Sequence, residues 1–233
     1  MNIALILAGG IGTRVCEERP KQFMEINGKP MLVHTVCRFA EHPEIDYICV
    51  ITAKEYIDYT ISLLSEHNCK IDAVLPGGAN RRESSFIGVS HLDSIFSPED
   101  IVLIHDAARP NVSDDIISNN IKKATETGSA VTAIHSQDTI LMGDCENMIN
   151  GYVDRANAYI VQTPQSFKLG IISKAHREVY EKIKEGKVDC TKITDDSMLA
   201  YMTGEKVSIV QGDKNNIKVT TMEDFGIICN IMK

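Results

Sequence analysis

No window of this 233-residue chain is long and apolar enough to span a bilayer, and the N-terminus enters an apolar run without the basic region that opens a signal peptide. The expectation is a protein of the cytoplasm with no membrane partner. Cysteines spaced C-x-x-C are missing, as are histidines at H-x-x-x-H spacing and any close Cys/His cluster, so a zinc site of the usual spacing is excluded. The seven cysteines, at 16, 37, 49, 69, 145, 190 and 229, are odd in number and scattered. They read as a reduced set. Cys37, Cys49 and Cys229 stand in apolar surroundings and read as small core side chains rather than nucleophiles. Excess basic charge is lacking too: the formal net charge is −8, which argues against a nucleic-acid surface because phosphate backbones are bound by Lys and Arg. An anionic ligand therefore needs a local basic pocket. There is no internal repeat, low-complexity tract or linker-like run, and residues 1–233 read as one domain.

What the chain does have is 43% hydrophobic residues, enough for one sizeable core. Apolar β-rich runs alternate with amphipathic segments, the rhythm of a mostly parallel sheet with helices on both faces. Strands are expected at about 2–7, 46–52, 71–75, 101–105, 130–135, 158–162 and 206–210. Helices are expected at about 31–41, 54–67, 82–93, 113–127, 169–184, 195–202 and 221–231, with good starts at Ser113-Asp114-Asp115 and Thr194-Asp195-Asp196. The stretch 137–157 breaks this rhythm. It is polar and turn-rich with apolar residues at alternating positions, which suggests an arm projecting from the sheet. Such an arm leaves strand edges unpaired, and a second subunit is the natural partner for them.

Directly after the first apolar run comes Leu7-Ala8-Gly9-Gly10-Ile11-Gly12-Thr13-Arg14, with Pro20-Lys21 close behind. Glycines let backbone N–H groups approach phosphate oxygens without Cβ obstruction, a following helix adds its N-terminal dipole, and Arg14 and Lys21 bring mobile charge. Two familiar phosphate loops fail here. The dinucleotide fingerprint would need glycine where Val15 stands. The Walker pattern needs Ser or Thr after Gly-Lys, where this chain has Gly28-Lys29-Pro30 and Gly186-Lys187-Val188. Gly-Gly-x-Gly-x-Arg with a downstream Pro-Lys resembles instead the opening of nucleotidyltransferases that activate sugar or polyol phosphates.

Ligands in open α/β sheets sit beyond the carboxyl ends of the strands, so loops there carry the next candidates. Gly77-Gly78-Ala79-Asn80-Arg81-Arg82-Glu83-Ser84 offers flexible backbone, cations and a hydroxyl, though a capped helix start accounts for it equally well. His105-Asp106-Ala107-Ala108-Arg109-Pro110 puts an acid at the exit of a buried strand. That is costly unless the acid is paired or holds a cation, and a local Asp106–Arg109 ion pair is the alternative to a metal. Val153-Asp154-Arg155 with Gln162-Thr163-Pro164-Gln165, and Thr194-Asp195-Asp196-Ser197 with Asn216-Ile217-Lys218-Val219-Thr220, complete the set. Singly, Arg155 or Lys218 would be an ordinary surface charge.

Taken in order and at this spacing, from about residue 3 to residue 228, these motifs resemble a cytidylyltransferase family. It includes 2-C-methyl-D-erythritol 4-phosphate cytidylyltransferase and the ribitol-5-phosphate cytidylyltransferases of wall and capsule synthesis. His-Asp-Ala-Ala-Arg-Pro, Gln-Thr-Pro-Gln-Ser-Phe and Asn-Ile-Lys-Val-Thr-Thr carry more of the resemblance than the glycine loop does. The resemblance implies a Rossmann-like homodimer joined through the 137–157 arm, with CTP and a polyol phosphate as substrates and Mg²⁺ as cofactor. It makes Ala8, Gly9, Gly10, Gly12 and Arg14 the triphosphate cradle with Lys21 beside it, and brings Gly77, Gly78 and Ser84 near the cytidine. Asp106 and Ala107 would lie near ribose, phosphate and metal, with Asp106 as the metal ligand. Thr139 from the partner's arm, with Arg155, Thr163, Thr194 and Lys218, would line the polyol-phosphate pocket. Arg14, Lys21, Arg155 and Lys218 are the implied catalytic cations. Gly9 and the non-basic Thr139-Ile140-Leu141 lean toward the ribitol branch. The double alanine after Asp106, Thr194-Asp195-Asp196-Ser197 and Val153-Asp154-Arg155 look more like the methylerythritol branch, which is the reading favoured.

Overall fold

The computed structural model describes residues 1–10 and 20–233. The first half of the chain runs β1 (Asn2–Ala8), a short hairpin of β2 (Glu25–Ile26) and β3 (Lys29–Pro30), α1 (Met31–Ala40), β4 (Tyr47–Thr52), α2 (Ile57–Glu66), β5 (Ala73–Pro76), α3 (Arg81–Asp93) and β6 (Ile101–Asp106). It continues with α4 (Asp114–Thr127), β7 (Ser129–His135), the pair β8 (Leu141–Gly143) and β9 (Ile149–Tyr152), then β10 (Tyr159–Lys168), α5 (Leu169–Lys184), α6 (Asp196–Met202), β11 (Ser208–Gln211) and α7 (Met222–Ile231).

Seven strands form one sheet in the order β11-β7-β10-β6-β1-β4-β5. Its neighbours pair in parallel except at β10, which runs antiparallel to both β6 and β7. Both faces are covered, so central strands are apolar on both sides. Along β1 the alternation divides Ala4, Ile6 and Ala8 from Ile3, Leu5 and Leu7. The first set packs with Val36, Phe39 and Ile117 of α1 and α4, the second with Val89, Ile172 and Val179 of α3 and α5. Each fully buried Leu, Ile or Phe in these layers stabilises by about 1.5–3 kcal/mol. Gly88 lets α3 close on the sheet: a Cβ there would stand 2.6 Å from Leu5 Cδ1.

Helix starts fall where side-chain oxygens take the first free amides. Asn80, Ser113, Asp195 and Thr221 each accept from a backbone N–H in the first turn of α3, α4, α6 and α7. Gly128, at φ 85°, ends α4 in the left-handed region. Among the described residues no helix is long and apolar enough to cross a membrane.

Three expectations need correction. The strand expected to end at 162 continues to Lys168; Pro164 has no N–H to donate and sits at an irregularity in the β7 ladder between Val161 and Gln165, beyond which pairing resumes. The helix expected from 54 opens as a separate 3₁₀ turn at Lys54–Tyr56. The arm expected at 137–157 contains the hairpin β8–β9, with Leu141, Met142, Met148, Ile149 and Tyr152 all exposed. Finally, Cys37 and Cys69 are bonded, their Cα atoms 5.5 Å apart, so the chain is not fully reduced. The end of α1 and the turn after α2 converge on one core layer, which brings together cysteines 32 residues apart. Cys49 does behave as a core side chain, its thiol pushed up to about 12 by burial.

Candidate active site

The carboxyl ends of β1, β4, β5 and β6 open onto one cleft of about 660 Å³. Ala8, Gly9 and Gly10 line it where they leave β1, Gly77 and Gly78 where they leave β5, and Asp106 and Ala107 form its floor at the end of β6. Lys21, Lys54, Glu55, Arg81, Ser84 and Lys218 are among the other residues that line it. Gln22 ties the chain back to β1 by donating to the Ala8 carbonyl at 2.8 Å.

Glycine is required at 77 and 78 by contact rather than by dihedral. A Cβ on Gly77 would stand 2.9 Å from Ser84 Oγ, and one on Gly78 would stand 2.4 Å from Glu83 Cβ. Ser84 Oγ accepts from the Gly78 N–H at 3.1 Å, and Glu83 accepts from the Ala79 N–H at 3.0 Å. The loop is thereby folded onto the first turn of α3. Gly9 faces the same hydroxyl, at 3.3 Å from a Cβ position, whereas Gly10 faces open space.

A line of alternating charge crosses the floor. Lys218 Nζ donates to Asp106 Oδ2 at 2.7 Å, Arg81 Nε donates to Asp106 Oδ1 at 2.9 Å, and Arg81 Nη1 donates to Asp196 Oδ2 at 2.7 Å. Ser85 and His176 face the remaining Asp196 oxygen. Burial by itself would raise the Asp106 carboxyl, but Arg81 and Lys218 outweigh it and hold it well below the usual carboxylate range. Asp196 is depressed for the same reason, with burial opposed by Arg81 and His176. Burial disfavours the Arg81 charge, yet Asp196 and Asp106 together push its pKa above the usual value. The Asp106–Arg109 pairing weighed from the sequence does not form. Arg109 instead donates to the carbonyls of Asn216 at 2.6 Å and Val161 at 3.5 Å.

Those bonds dock the loop that carries Lys218. Asn216 donates to the Thr163 carbonyl at 2.9 Å, Val219 N–H to the Ala108 carbonyl at 2.9 Å, and Lys21 Nζ to the Val219 carbonyl at 2.8 Å. Lys21 and Lys218, 197 residues apart in sequence, thus enter the cleft from two segments joined by that bond. Lys218 was expected among the polyol-phosphate residues; it stands on Asp106 in the same cleft as the triphosphate candidates.

Other expected residues lie elsewhere. Thr163 is buried behind the floor, 4% exposed, and accepts from the Asp106 N–H at 3.1 Å. It is therefore a wall support in this chain rather than a lining residue. Thr194 lines a second, smaller cavity of about 300 Å³ with Arg82 and Asp195, which shares Asn80 and Arg81 with the cleft. Thr139 and Arg155 are exposed at the base of the arm and do not line the cleft of their own chain. Gly12 and Arg14 lie outside the described residues. The residues that sequence reasoning passed over are Arg81, Asp196 and His176. Arg81 stood in a noted cluster as one of two adjacent cations, and Asp196 stood in another and at a helix start, neither with a role of its own, so only their convergence in space singles them out.

Among the described residues no group of three His, Cys, Asp or Glu side chains is placed to enclose a metal. Asp106 is nonetheless a hard oxygen donor at the cleft floor, and Mg²⁺ is commonly held by one or two carboxylates with the rest of its ligands from substrate phosphates and water. The donor chemistry fits.

Residues 2–233 match the family described as 2-C-methyl-D-erythritol 4-phosphate cytidylyltransferase. The chain is 37% identical to a ribitol-5-phosphate cytidylyltransferase of Streptococcus agalactiae serotype III (strain NEM316), covering 97% of this chain and 92% of that one. It is 40% identical to a 2-C-methyl-D-erythritol 4-phosphate cytidylyltransferase of Clostridium perfringens (strain SM101 / Type A), covering 96% and 95%. Its fold superposes on the 4-diphosphocytidyl-2C-methyl-D-erythritol synthase of Anaerococcus prevotii with a TM-score of 0.82 at 27% identity, over 99% and 95% of the two chains. For the Francisella tularensis 2-C-methyl-D-erythritol 4-phosphate cytidylyltransferase the TM-score is 0.79 at 30% identity, over 97% of each. A glycine-walled cleft with two lysines and a carboxylate on its floor, in a chain that matches from end to end, leads to one conclusion: the protein is a nucleotidyltransferase and belongs to the 2-C-methyl-D-erythritol 4-phosphate cytidylyltransferase family.

Proposed function

We propose that this chain transfers CMP from CTP to 2-C-methyl-D-erythritol 4-phosphate, releasing pyrophosphate. The observation that carries the reading is the convergence of Lys21, Lys218 and Asp106 beneath the glycine walls. A phosphate oxygen of the acceptor attacks the α-phosphorus of CTP, a new P–O–P bond forms, and the bond to the β-phosphate breaks. Near neutral pH the attacking monoester is largely ionised, its second pKa being about 6. No general base is needed. The barrier is repulsion between two polyanions and the charge that gathers on oxygens in the transition state, so positioning and electrostatic stabilisation supply the catalysis.

In this reading Lys21 and Arg14 face the α-phosphate and the leaving group, and the backbone at Ala8, Gly9 and Gly10 cradles the triphosphate. Gly77, Gly78 and Ser84 border the nucleoside. Lys218 meets the attacking phosphate and the α-phosphate together, which its place on Asp106 favours over a role toward the acceptor alone. Asp106 would hold Mg²⁺, which when bound would supply positive charge to offset that of the substrate phosphates. Thr139 and Arg155 would reach the acceptor from a second subunit. The exposed apolar hairpin β8–β9 is the surface for such a homodimer, since its side chains have no cover in the single chain.

A second reading, D-ribitol 5-phosphate as acceptor, is favoured by the relatives of that name at 36–38% identity over 97% of the chain and by Gly9 and the non-basic Thr139-Ile140-Leu141. Pyrophosphate release with CTP, Mg²⁺ and each acceptor decides between them. A kcat/KM at least tenfold higher with methylerythritol 4-phosphate supports the first reading, and the reverse ratio replaces it by the second.

A further inference from the structure

Behind the cleft floor, three hydrogen bonds run in series through the turn that carries Asp106. The Asp106 N–H lies 3.1 Å from Thr163 Oγ1, that oxygen lies 3.1 Å from His105 Nδ1, and His105 Nε2 lies 3.0 Å from the Arg109 carbonyl. Asp106 needs this support because of the strand register. Gln165 stands opposite Ile104, so two residues further on Asp106 would face Thr163, where the β10 ladder turns irregular and a hydroxyl takes the place of a backbone acceptor.

Each proton in the series has one place to go. An amide only donates, so Thr163 Oγ1 accepts from Asp106 and sends its own proton to Nδ1. A carbonyl only accepts, so Nε2 carries the ring proton. The opposite tautomer would set a ring lone pair against the Arg109 carbonyl and leave the hydroxyl proton without an acceptor. A doubly protonated ring would orphan that proton as well and place a cation in a fully buried site. The Phe39 ring packs against the imidazole, 5.0 Å away centroid to centroid.

We propose that His105 is a positioning residue: as the neutral, Nε2-protonated imidazole it orients the Thr163 hydroxyl, which fixes the Asp106 backbone so that the carboxylate meets Arg81 and Lys218 at the cleft floor. His105 itself does not line the cleft. The role rests on the reading of that cleft as the cytidylyl-transfer site.

The test combines His105→Phe, Thr163→Val, their double variant and Thr163→Ser with ¹⁵N NMR of the wild-type imidazole. Each single loss should lower kcat/KM by about 10–100-fold, the range for residues that orient a ligand from behind. The double variant should be no worse than the poorer single, and Thr163→Ser should recover most of what Thr163→Val loses. Losses that multiply, a serine variant as poor as valine, or an unimpaired His105→Phe would overturn the assignment. If the variants fail to fold, the spectrum still decides, with protonated Nε2 and bare Nδ1 expected and any other state contradicting it. Because the spectrum needs no turnover, it stands apart from a failure to detect cytidylyl transfer.

Discussion

Arg81 joins two buried carboxylates, donating from Nε to Asp106 and from Nη1 to Asp196, and so ties the floor of the cleft to the start of α6. Removing it leaves both acids without their shared partner. Breaking a buried pair from one side costs about 3–5 kcal/mol, and Arg81→Met should lose stability on that scale in urea unfolding. Arg81→Lys should rescue little, because a point charge cannot span two carboxylates as a planar fork does. A stability change under 1 kcal/mol for Arg81→Met would show that the line of charge is incidental.

Acid should loosen the same line from its other end. The Asp196 carboxyl is depressed in the folded chain relative to an unfolded value near 4. The unfolded state therefore binds the proton first as pH falls. The stabilisation is complete above about pH 4 and is lost as pH drops further toward the folded pKa. Asp196→Asn should flatten the acid limb of a stability-against-pH curve, and an unchanged limb would remove Asp196 from the acid response.

The glycine walls give a steric test. Gly78→Ala would drive a Cβ to 2.4 Å from Glu83 Cβ, and relief requires the loop to lift from α3. CTP affinity measured by calorimetry should fall by tenfold or more while the fold persists. Gly88→Ala, at a residue that does not line the cleft but where a Cβ would stand 2.6 Å from Leu5 Cδ1, should instead cost about 1–3 kcal/mol of stability with CTP affinity retained. If the two variants exchanged these effects, the cleft assignment would be wrong.

A shared site makes a prediction about mixtures. Thr139 and Arg155 are exposed and away from the cleft of their own chain. Combining a Thr139-defective subunit with a Lys218-defective one should then restore part of the activity, since one site in the mixed dimer holds both good residues. Verified mixed dimers with no recovery, or a monomer at full rate, would place the whole site within one chain.

Much of this could be read from residue order. The apolar alternation of Ile3 to Leu7 and of Ile101 to Ile104 marks strands buried on both faces, and Ser113 and Asp195 mark helix starts that the structure bears out. The cleft followed because glycine and charge clustered after those strands. What escaped was set by distance in space. Pro164 reads as a strand end when viewed alone, yet β10 continues through it because β6 and β7 flank the strand on both sides. The Cys37–Cys69 bond depends on how α1 and the turn after α2 converge. Thr163 looked like a pocket residue, but the irregular ladder turns it toward the Asp106 backbone.

The account stands most directly on the lysines that converge beneath the glycine walls. Wild-type protein with CTP, Mg²⁺ and a polyol phosphate should release one pyrophosphate for each cytidine diphosphate-linked product, measured by enzyme-coupled pyrophosphate detection and mass spectrometry. Lys21→Ala and Lys218→Ala, each folded by circular dichroism, should be slower by about a hundredfold or more, the cost of losing one preorganised transition-state donor. Product formed at the wild-type rate by both variants, or no pyrophosphate from wild type with either methylerythritol 4-phosphate or ribitol 5-phosphate, would contradict it.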